Sequence, residues 1–287
     1  MLSIWRKTVL LARMVKIEHS IFALPFAYLG MIWAAGGWPG WKTFTALTVA
    51  MVAVRSFAMA INRLVDLPID SKNPRTLSRP LVTGEIGVFE TRVFIAVSAV
   101  VFVSACALLN PLCLALSPLA LVWSSLYSYT KRFTRLCHFF LGSVLGLAPL
   151  AGWLAVSPAV ELAPVLLGLG VTFWVAGFDI LYACQDVDFD RAENLHSMPA
   201  ASGVPTALAL STYSHAVTAV FFLLAGWAAG AGLVYAAFCL IVALILLFEH
   251  RLISADDMSR VNLAFFTVNG FVAVFLFAGA VLDIALR

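Results

Sequence analysis

The sequence predicts an all-α, polytopic membrane protein: nine transmembrane helices in one bundle, with a polar site facing the cytoplasm. Three observations lead there. The 287 residues are 62% hydrophobic and only 11% charged, with a mean hydropathy of +0.99. Soluble domains carry about 25% charged residues, so lipid must be the main solvent of this chain. Long windows without charge recur along it, and a span needs about 20 mostly apolar residues. Finally, the basic residues fall almost entirely on one side of the resulting topology.

The spans follow in order. Residues 19–41 hold the first, interrupted late by Gly36-Gly37 and Pro39-Gly40. Residues 43–61 hold the second, marred only by Arg55. Residues 93–130 carry no charge and contain Asn110-Pro111 midway, which reads as a hairpin of two spans. Residues 136–160 and 162–183 hold the fifth and sixth, with Asp179 near the end of the latter. Residues 205–248 hold two more, broken around Gly230-Ala231-Gly232, and residues 261–282 hold the ninth.

With nine spans, fifteen of the eighteen Lys and Arg share the side of the N-terminus. Lys42 and Arg287 lie opposite, and Arg55 lies inside a span. The positive-inside rule makes the crowded side cytoplasmic. This places the protein in the cytoplasmic membrane as a multi-pass chain, with the lipid bilayer as its partner. The far-side connections are short and leave no room for a second domain, so residues 1–287 read as one. The basic N-terminus before an apolar run resembles a signal peptide but lacks a convincing cleavage site, and reads as a retained first span. The five cysteines form no CxxC pair and read as small buried hydrophobes.

Two polar stretches stand out. "NRLVDLPIDSKNPRTLSRPLVTGE", residues 62–85, follows the second span, and "FDILYACQDVDFDRAENLHSMPA", residues 178–200, follows the sixth. Asp66 and Asp70 are four apart, as are Asp186 and Asp190, and the pairs are offset by 120 residues. That echo suggests an internal repeat. A spacing of four puts both acids of a pair on one helix face. Arg55 and Asn62 extend the first face backward, and Asp179 and Tyr182 extend the second. Pro68 is positioned to kink the first stripe beyond Asp66.

Clustered carboxylates repel unless a cation joins them. Mg²⁺ is held by one or two carboxylates together with substrate phosphates. Two acid pairs could hold such ions around a diphosphate, with Arg75, Arg79, Lys131 and Arg132 gripping the remaining oxygens. The five histidines are scattered and form no HxxxH pair. The GxxxG spacings at Gly142/Gly146 and Gly226/Gly230 read as close helix packing. No GxSxG, Walker or GxGxxG pattern is present.

These motifs resemble those of the UbiA superfamily of intramembrane aromatic prenyltransferases, over essentially the full length. "NRLVDLPID" is similar to that family's NDxxDxxxD, with Arg63 where the family often has its first Asp, one possible metal ligand fewer. "RTLSRPLVTG" resembles RTxxRPLxxG, "YSYTKRFT" resembles YxxxKRxT, and "DILYACQDVDFD" resembles YDxxYAxxDxxxD. A narrower likeness, carried by "KIEHSIFALPFAYLG" and "YACQDVDFDRAENLHSMPA", is to the branch labelled 4-hydroxybenzoate prenyltransferases. Many of that branch serve the futalosine route to menaquinone by prenylating 1,4-dihydroxy-6-naphthoate. Its members commonly read GLHSIPARFG where this chain has "NLHSMPAASG".

The resemblance implies an isoprenoid-synthase-like arrangement of two Asp-rich motifs. It implies Mg²⁺ on Asp66, Asp70, Asp186 and Asp190, and a polyprenyl diphosphate held by Arg75, Arg79, Lys131 and Arg132. A small aromatic acceptor completes the reaction, with Asn62, Arg55, Tyr182 and Lys16 as binding residues and Asp179 as an assisting carboxylate. No nucleic acid is implied. Haem, a chlorophyll precursor or a lipid are the alternative acceptors within the superfamily. A secondary transporter is the alternative outside it, disfavoured because the acids sit at helix ends rather than at the midplane.

Overall fold

The computed structural model describes residues 4–255, 257–261 and 267–287. Among the described residues every regular element is helical. Among the described residues seven helices are long and apolar enough to cross a membrane, which makes this a multi-pass membrane protein. They are α3 (Trp41–Val65), α5 (Val88–Leu109), α6 (Pro111–Thr130), α7 (Cys137–Leu154), α8 (Leu162–Ala183), α11 (Val204–Ala228) and α12 (Leu233–Leu252). The hairpin expected at Asn110-Pro111 is there: Asn110 is extended and Pro111 opens α6, where its missing N–H costs nothing.

The first expected span is shorter than the sequence suggested. Residues 17–22 form a 3₁₀ helix, and α2 covers only Leu24–Ala35. Twelve residues rise about 18 Å, against about 30 Å of bilayer hydrocarbon. Local chemistry fixes both limits. Pro25 stands in the first turn, and Gly36 ends the helix in the left-handed conformation, its N–H turned back to the last carbonyls. The last expected span, 261–282, falls partly on residues 262–266, outside the described residues. Its remainder is α13, Asn269–Ala285.

The chain divides into two compact units. The first comprises residues 1–20 and 45–129. Here α1 (Ile4–Val15) lays Leu10, Met14 and Val15 on Ala60 of α3 and on Leu81 and Ile86 of the polar loop. Lys7 pairs with Glu90 at the start of α5, and Glu90 also accepts the Gly87 N–H at 3.0 Å, which fixes that start. Ala50 and Ala53 of α3 meet Phe102, Ala105 and Cys106 of α5. Small residues on one helix let the large ring of the other approach closely. The opposite face of α5 exposes Val93, Val97, Val100 and Leu108, as a lipid-facing helix requires.

The second unit comprises residues 21–44 and 130–287. Its helices close a ring of neighbours: α2 on α7, α7 on α8, α8 on α11, α11 on α12, α12 on α13, and α13 back on α2. Trp174 sits fully buried at the centre, with Phe26 at 5.2 Å between ring centroids. Glycines set the closeness of the seam through α2, α7 and α8. A Cβ at Gly142 would lie 2.2 Å from the Thr172 carbonyl oxygen, and one at Gly146 would lie 2.6 Å from that of Gly168. The Gly142/Gly146 reading therefore holds. Gly226 and Gly230 divide their work instead: Gly226 admits the Tyr235 ring, while Gly230, at φ +66°, turns the chain between α11 and α12.

A buried polar chain stitches this unit together. Trp174 Nε1 donates to Asn269 Oδ1 at 2.7 Å, and Asn269 Nδ2 donates to Glu249 Oε1 at 2.7 Å. His215 donates through Nε2 to the Trp174 carbonyl and meets His250 through Nδ1. Two of the "scattered" histidines thus come within hydrogen-bond reach. At the other end of α12, Asp283 accepts the N–H groups of Gly232 and Tyr235 and pairs with Arg287. The five cysteines are free.

Candidate active site

The two acid motifs are built alike. In the first unit α3 ends at Val65, Asp66 stands at the junction, and the short α4 (Leu67–Asp70) ends on Asp70. Pro68 in its first turn accounts for the break. In the second unit α8 ends at Ala183, a 3₁₀ turn carries the chain to Asp186, and α9 (Val187–Ala192) contains Asp190. In each motif the first Asp is the N-cap of the short helix, and in neither does its side chain cap that helix. An N-cap Asp ordinarily spends its carboxylate on the N–H groups of the first turn. Here both carboxylates are spared that task. The internal echo is therefore a repeated local structure as well as a repeated spacing.

Within the first unit, Asp66 and Asp70 are 3% and 5% exposed. Asp66 Oδ2 accepts the Asn62 amide at 2.9 Å. Asp70 is paired with Arg79, and its carbonyl accepts the Thr76 hydroxyl at 2.7 Å. The polar loop is thus folded back so that an acid and a base of the opening motif meet. Arg75 is exposed, its N–H held by Asn73 Oδ1. Arg55 donates to the Lys16 carbonyl at 3.4 Å, which joins the two residues expected to hold an acceptor. Lys16 adopts the left-handed conformation, φ 49°. Burial holds its ammonium below the ordinary lysine range, and the charges of Arg63, Arg79 and Arg75 push the same way, against Glu18. Four cations in one field favour an anion.

Arg63, at the position where an Asp was anticipated, has a role that sequence did not reveal. It is 7% exposed. Its Nε donates to the Met14 carbonyl at 3.2 Å, and its Nη1 donates to Asn62 Oδ1 at 3.2 Å. One guanidinium therefore ties the end of α1 to α3 and orients the amide that in turn holds Asp66. Arg63→Lys is expected to lose at least one of the two contacts, because an ammonium cannot reach two divergent acceptors as a planar fork does. The prediction is a clear drop in the melting temperature of detergent-solubilised protein, nearly as large as for Arg63→Ala.

Within the second unit, Lys131 and Asp186 lie within Coulombic range of Asp190. The Lys131 carbonyl accepts the His196 N–H at 2.7 Å, and the Asp190 carbonyl accepts that of Leu195 at 2.8 Å. The chain after the second acid motif is so returned to the turn that carries Lys131 and Arg132. Tyr182 and Arg132 are half-buried. Asp179 meets His138: the separation from its Oδ2 to Nδ1 is 2.7 Å. No spacing in the sequence marks that pair, since 41 residues separate its members.

All four motif aspartates offer hard oxygen donors, which suit Mg²⁺. Among the described residues no three His, Cys, Asp or Glu side chains gather into a ready-made metal site. Mg²⁺ does not require one, because it takes one or two carboxylates and completes its shell with water and phosphate oxygens. The carboxylates of the two motifs, with cations near them, fit that chemistry.

Comparison with known proteins agrees. The chain is 29% identical over 266 residues to a 4-hydroxybenzoate octaprenyltransferase of Shewanella woodyi, covering 90% of each chain. The structure of a UbiA homolog from Aeropyrum pernix K1 matches with a TM-score of 0.84 at 35% identity, over 93% of this chain and 98% of that one. A UbiA homolog from Archaeoglobus fulgidus, bound to GPP and Mg²⁺, shares the fold at 22% identity, with a TM-score of 0.73 over 96% and 99% of the chains. The model of the UbiA prenyltransferase family matches residues 23–277. Nearly the whole chain is covered, both acid motifs included, and the protein belongs to the UbiA prenyltransferase family.

Proposed function

We propose that the protein transfers a polyprenyl group from polyprenyl diphosphate to a small aromatic acceptor in respiratory quinone biosynthesis, with Mg²⁺ as cofactor. The acceptor is 1,4-dihydroxy-6-naphthoate for menaquinone or 4-hydroxybenzoate for ubiquinone. One observation carries the reading: both Asp-rich motifs break a long apolar helix and present an aspartate that caps nothing. Membership of a prenyltransferase family supports it, as do relatives named for 4-hydroxybenzoate. A structural neighbour bound to GPP and Mg²⁺ supports the cofactor.

In this reading Asp66, Asp70, Asp186 and Asp190 hold the metal. Bound Mg²⁺ supplies Lewis-acid neutralisation of the departing diphosphate. Arg75, Arg79, Lys131 and Arg132 grip the same oxygens and stabilise the charge that grows on them. The allylic C–O bond breaks with its electron pair leaving on diphosphate, and apolar walls keep water from the cation. The ring carbon forms the new C–C bond, and Asp179 takes the proton that the ring then loses. Arg55 and Lys16 receive the acceptor carboxylate, with Asn62 and Tyr182 beside it. The 3₁₀ turn at 17–22 with α2, and α13 with the residues before it, make up the other two of nine spans, and residues 1–287 act as one cytoplasm-facing enzyme.

The test is a competition. Membranes containing the protein receive a polyprenyl diphosphate, Mg²⁺, and equal 4-hydroxybenzoate and 1,4-dihydroxy-6-naphthoate, and the products are weighed by mass spectrometry. One prenylated aromatic acid is expected to predominate. Absence of both, with transfer to a haem or lipid acceptor, overturns the reading.

A further inference from the structure

We infer that His138 is a positioning residue for Asp179, a neutral imidazole that aims the proton-accepting carboxylate without sharing its proton. This rests on the reading of Asp179 given above. The hydrogen-bond partners fix the tautomer. The Met198 backbone N–H donates to His138 Nε2 at 3.1 Å. A backbone N–H can only donate, so Nε2 carries no proton. The remaining ring nitrogen, Nδ1, must then be the N–H, and it donates to Asp179 Oδ2 at 2.7 Å.

Burial makes this arrangement rigid. The His138 side chain is 4% exposed, while that of Asp179 is 25% exposed. The imidazole is sealed in and the carboxylate opens outward, the reverse of a triad in which the histidine faces the substrate. A carboxylate rotates freely about its last bond unless a donor holds one oxygen. Here Oδ2 is held, so Oδ1 has a fixed direction. The charge state follows from the same geometry. With Nε2 accepting and Nδ1 donating, the ring carries one proton and no charge. Nor can His138 pass a proton onward, because its far nitrogen is stoppered by Met198.

The support behind the ring is equally specific. Met198 packs into a core with Ile180, Cys184 and Ala207, and Phe139 beside it. Cys137 Sγ lies 3.8 Å from the His196 carbonyl, and the His196 N–H reaches the Lys131 carbonyl at 2.7 Å. The segment 196–198 therefore joins the turn that carries Lys131 to the imidazole that holds Asp179. The ring loses its proton from the carbon that formed the new bond, and this clamp supplies a single direction for that removal.

Two substitutions separate aiming from mere anchoring. Asn at position 138 keeps an N–H donor near Nδ1 but loses the acceptor for Met198. Gln keeps an acceptor near Nε2 but loses the donor to Asp179. We expect His138→Gln to lower kcat about tenfold or more with KM for polyprenyl diphosphate unchanged. His138→Asn should stay within about threefold of wild type. The reverse order, or equal losses that follow the melting temperatures, overturns the inference. Asp179→Asn is run beside them. If it is inactive while His138→Gln is fully active, only the role of His138 fails. If Asp179→Asn turns over normally, the role of Asp179 fails first and takes the inference with it. Independently of any variant's folding, ¹⁵N-histidine spectra of the wild type should contain a buried Nδ1–H tautomer. Finding only Nε2–H or doubly protonated rings overturns it.

Discussion

Asp66→Ala and Asp186→Ala should each cut Mg²⁺-dependent prenyl transfer by about a hundredfold or more, far out of proportion to any fall in melting temperature. The two halves of that expectation come from one feature. An Asp-to-Ala change at an N-cap ordinarily costs about 1 kcal/mol, because first-turn N–H groups lose their acceptor. Neither Asp66 nor Asp186 caps its helix, so that cost is absent; Asp66→Ala still takes the acceptor from the Asn62 amide, a cost of about 1 kcal/mol beside the loss of ligand chemistry. Asp188, exposed on α9 between Asp186 and Asp190, is the matched control: Asp188→Ala should retain near-normal turnover. Rates measured in membranes across a Mg²⁺ titration, beside thermal unfolding in detergent, decide it. Unimpaired turnover in both Asp66→Ala and Asp186→Ala removes the metal role. A loss of activity that tracks a loss of stability would make the aspartates structural.

What could be read from the sequence was whatever is encoded locally. Charge-free windows of about 20 residues needed no tertiary knowledge to be seen as spans, and seven of them stand as long apolar helices. The Asp66/Asp70 and Asp186/Asp190 echo is a matter of counting, and Pro68 announced the break after Asp66. The family resemblance rested on the same short strings, and family membership followed it. What stayed hidden is non-local. His138 and Asp179 are 41 residues apart, and Glu249 and Asn269 are 20 apart on different helices. Each pair is made by packing, and no periodicity announces it. Arg63 was legible as a departure from the motif but not as a brace, since its partner is the backbone carbonyl of Met14, 49 residues earlier. The short α2 was concealed for another reason: the charge-free window opening at residue 19 takes in residues 19–22 and cannot tell a 3₁₀ turn from an α-helix.

The glycines carry the sharpest packing consequence. Lipid tails are as apolar as leucine, so helices in a bilayer associate through close van der Waals contact, and small residues permit it. In the second unit a Cβ at Gly152 would lie 1.8 Å from the Ala27 carbonyl oxygen, and one at Gly30 would lie 2.0 Å from that of Pro149. Both obstacles are backbone, so no side chain can swing away, and α2 and α7 would have to separate. Overpacking of this kind costs about 1–3 kcal/mol and occasionally more. Here a carbonyl blocks the methyl from each side of the same seam, so Gly152→Ala belongs at or beyond the top of that range. Gly270 offers the contrast, since a Cβ there meets nothing within 4 Å. Gly270→Ala should leave stability unchanged or raise it by up to about 1 kcal/mol, the helix preference of Ala over Gly. Thermal unfolding and yield in detergent should therefore show Gly152→Ala strongly depressed and Gly270→Ala intact. If the two behaved alike, the helix seam would be softer than its backbone distances require, and the helical ring of the second unit would need another source of cohesion.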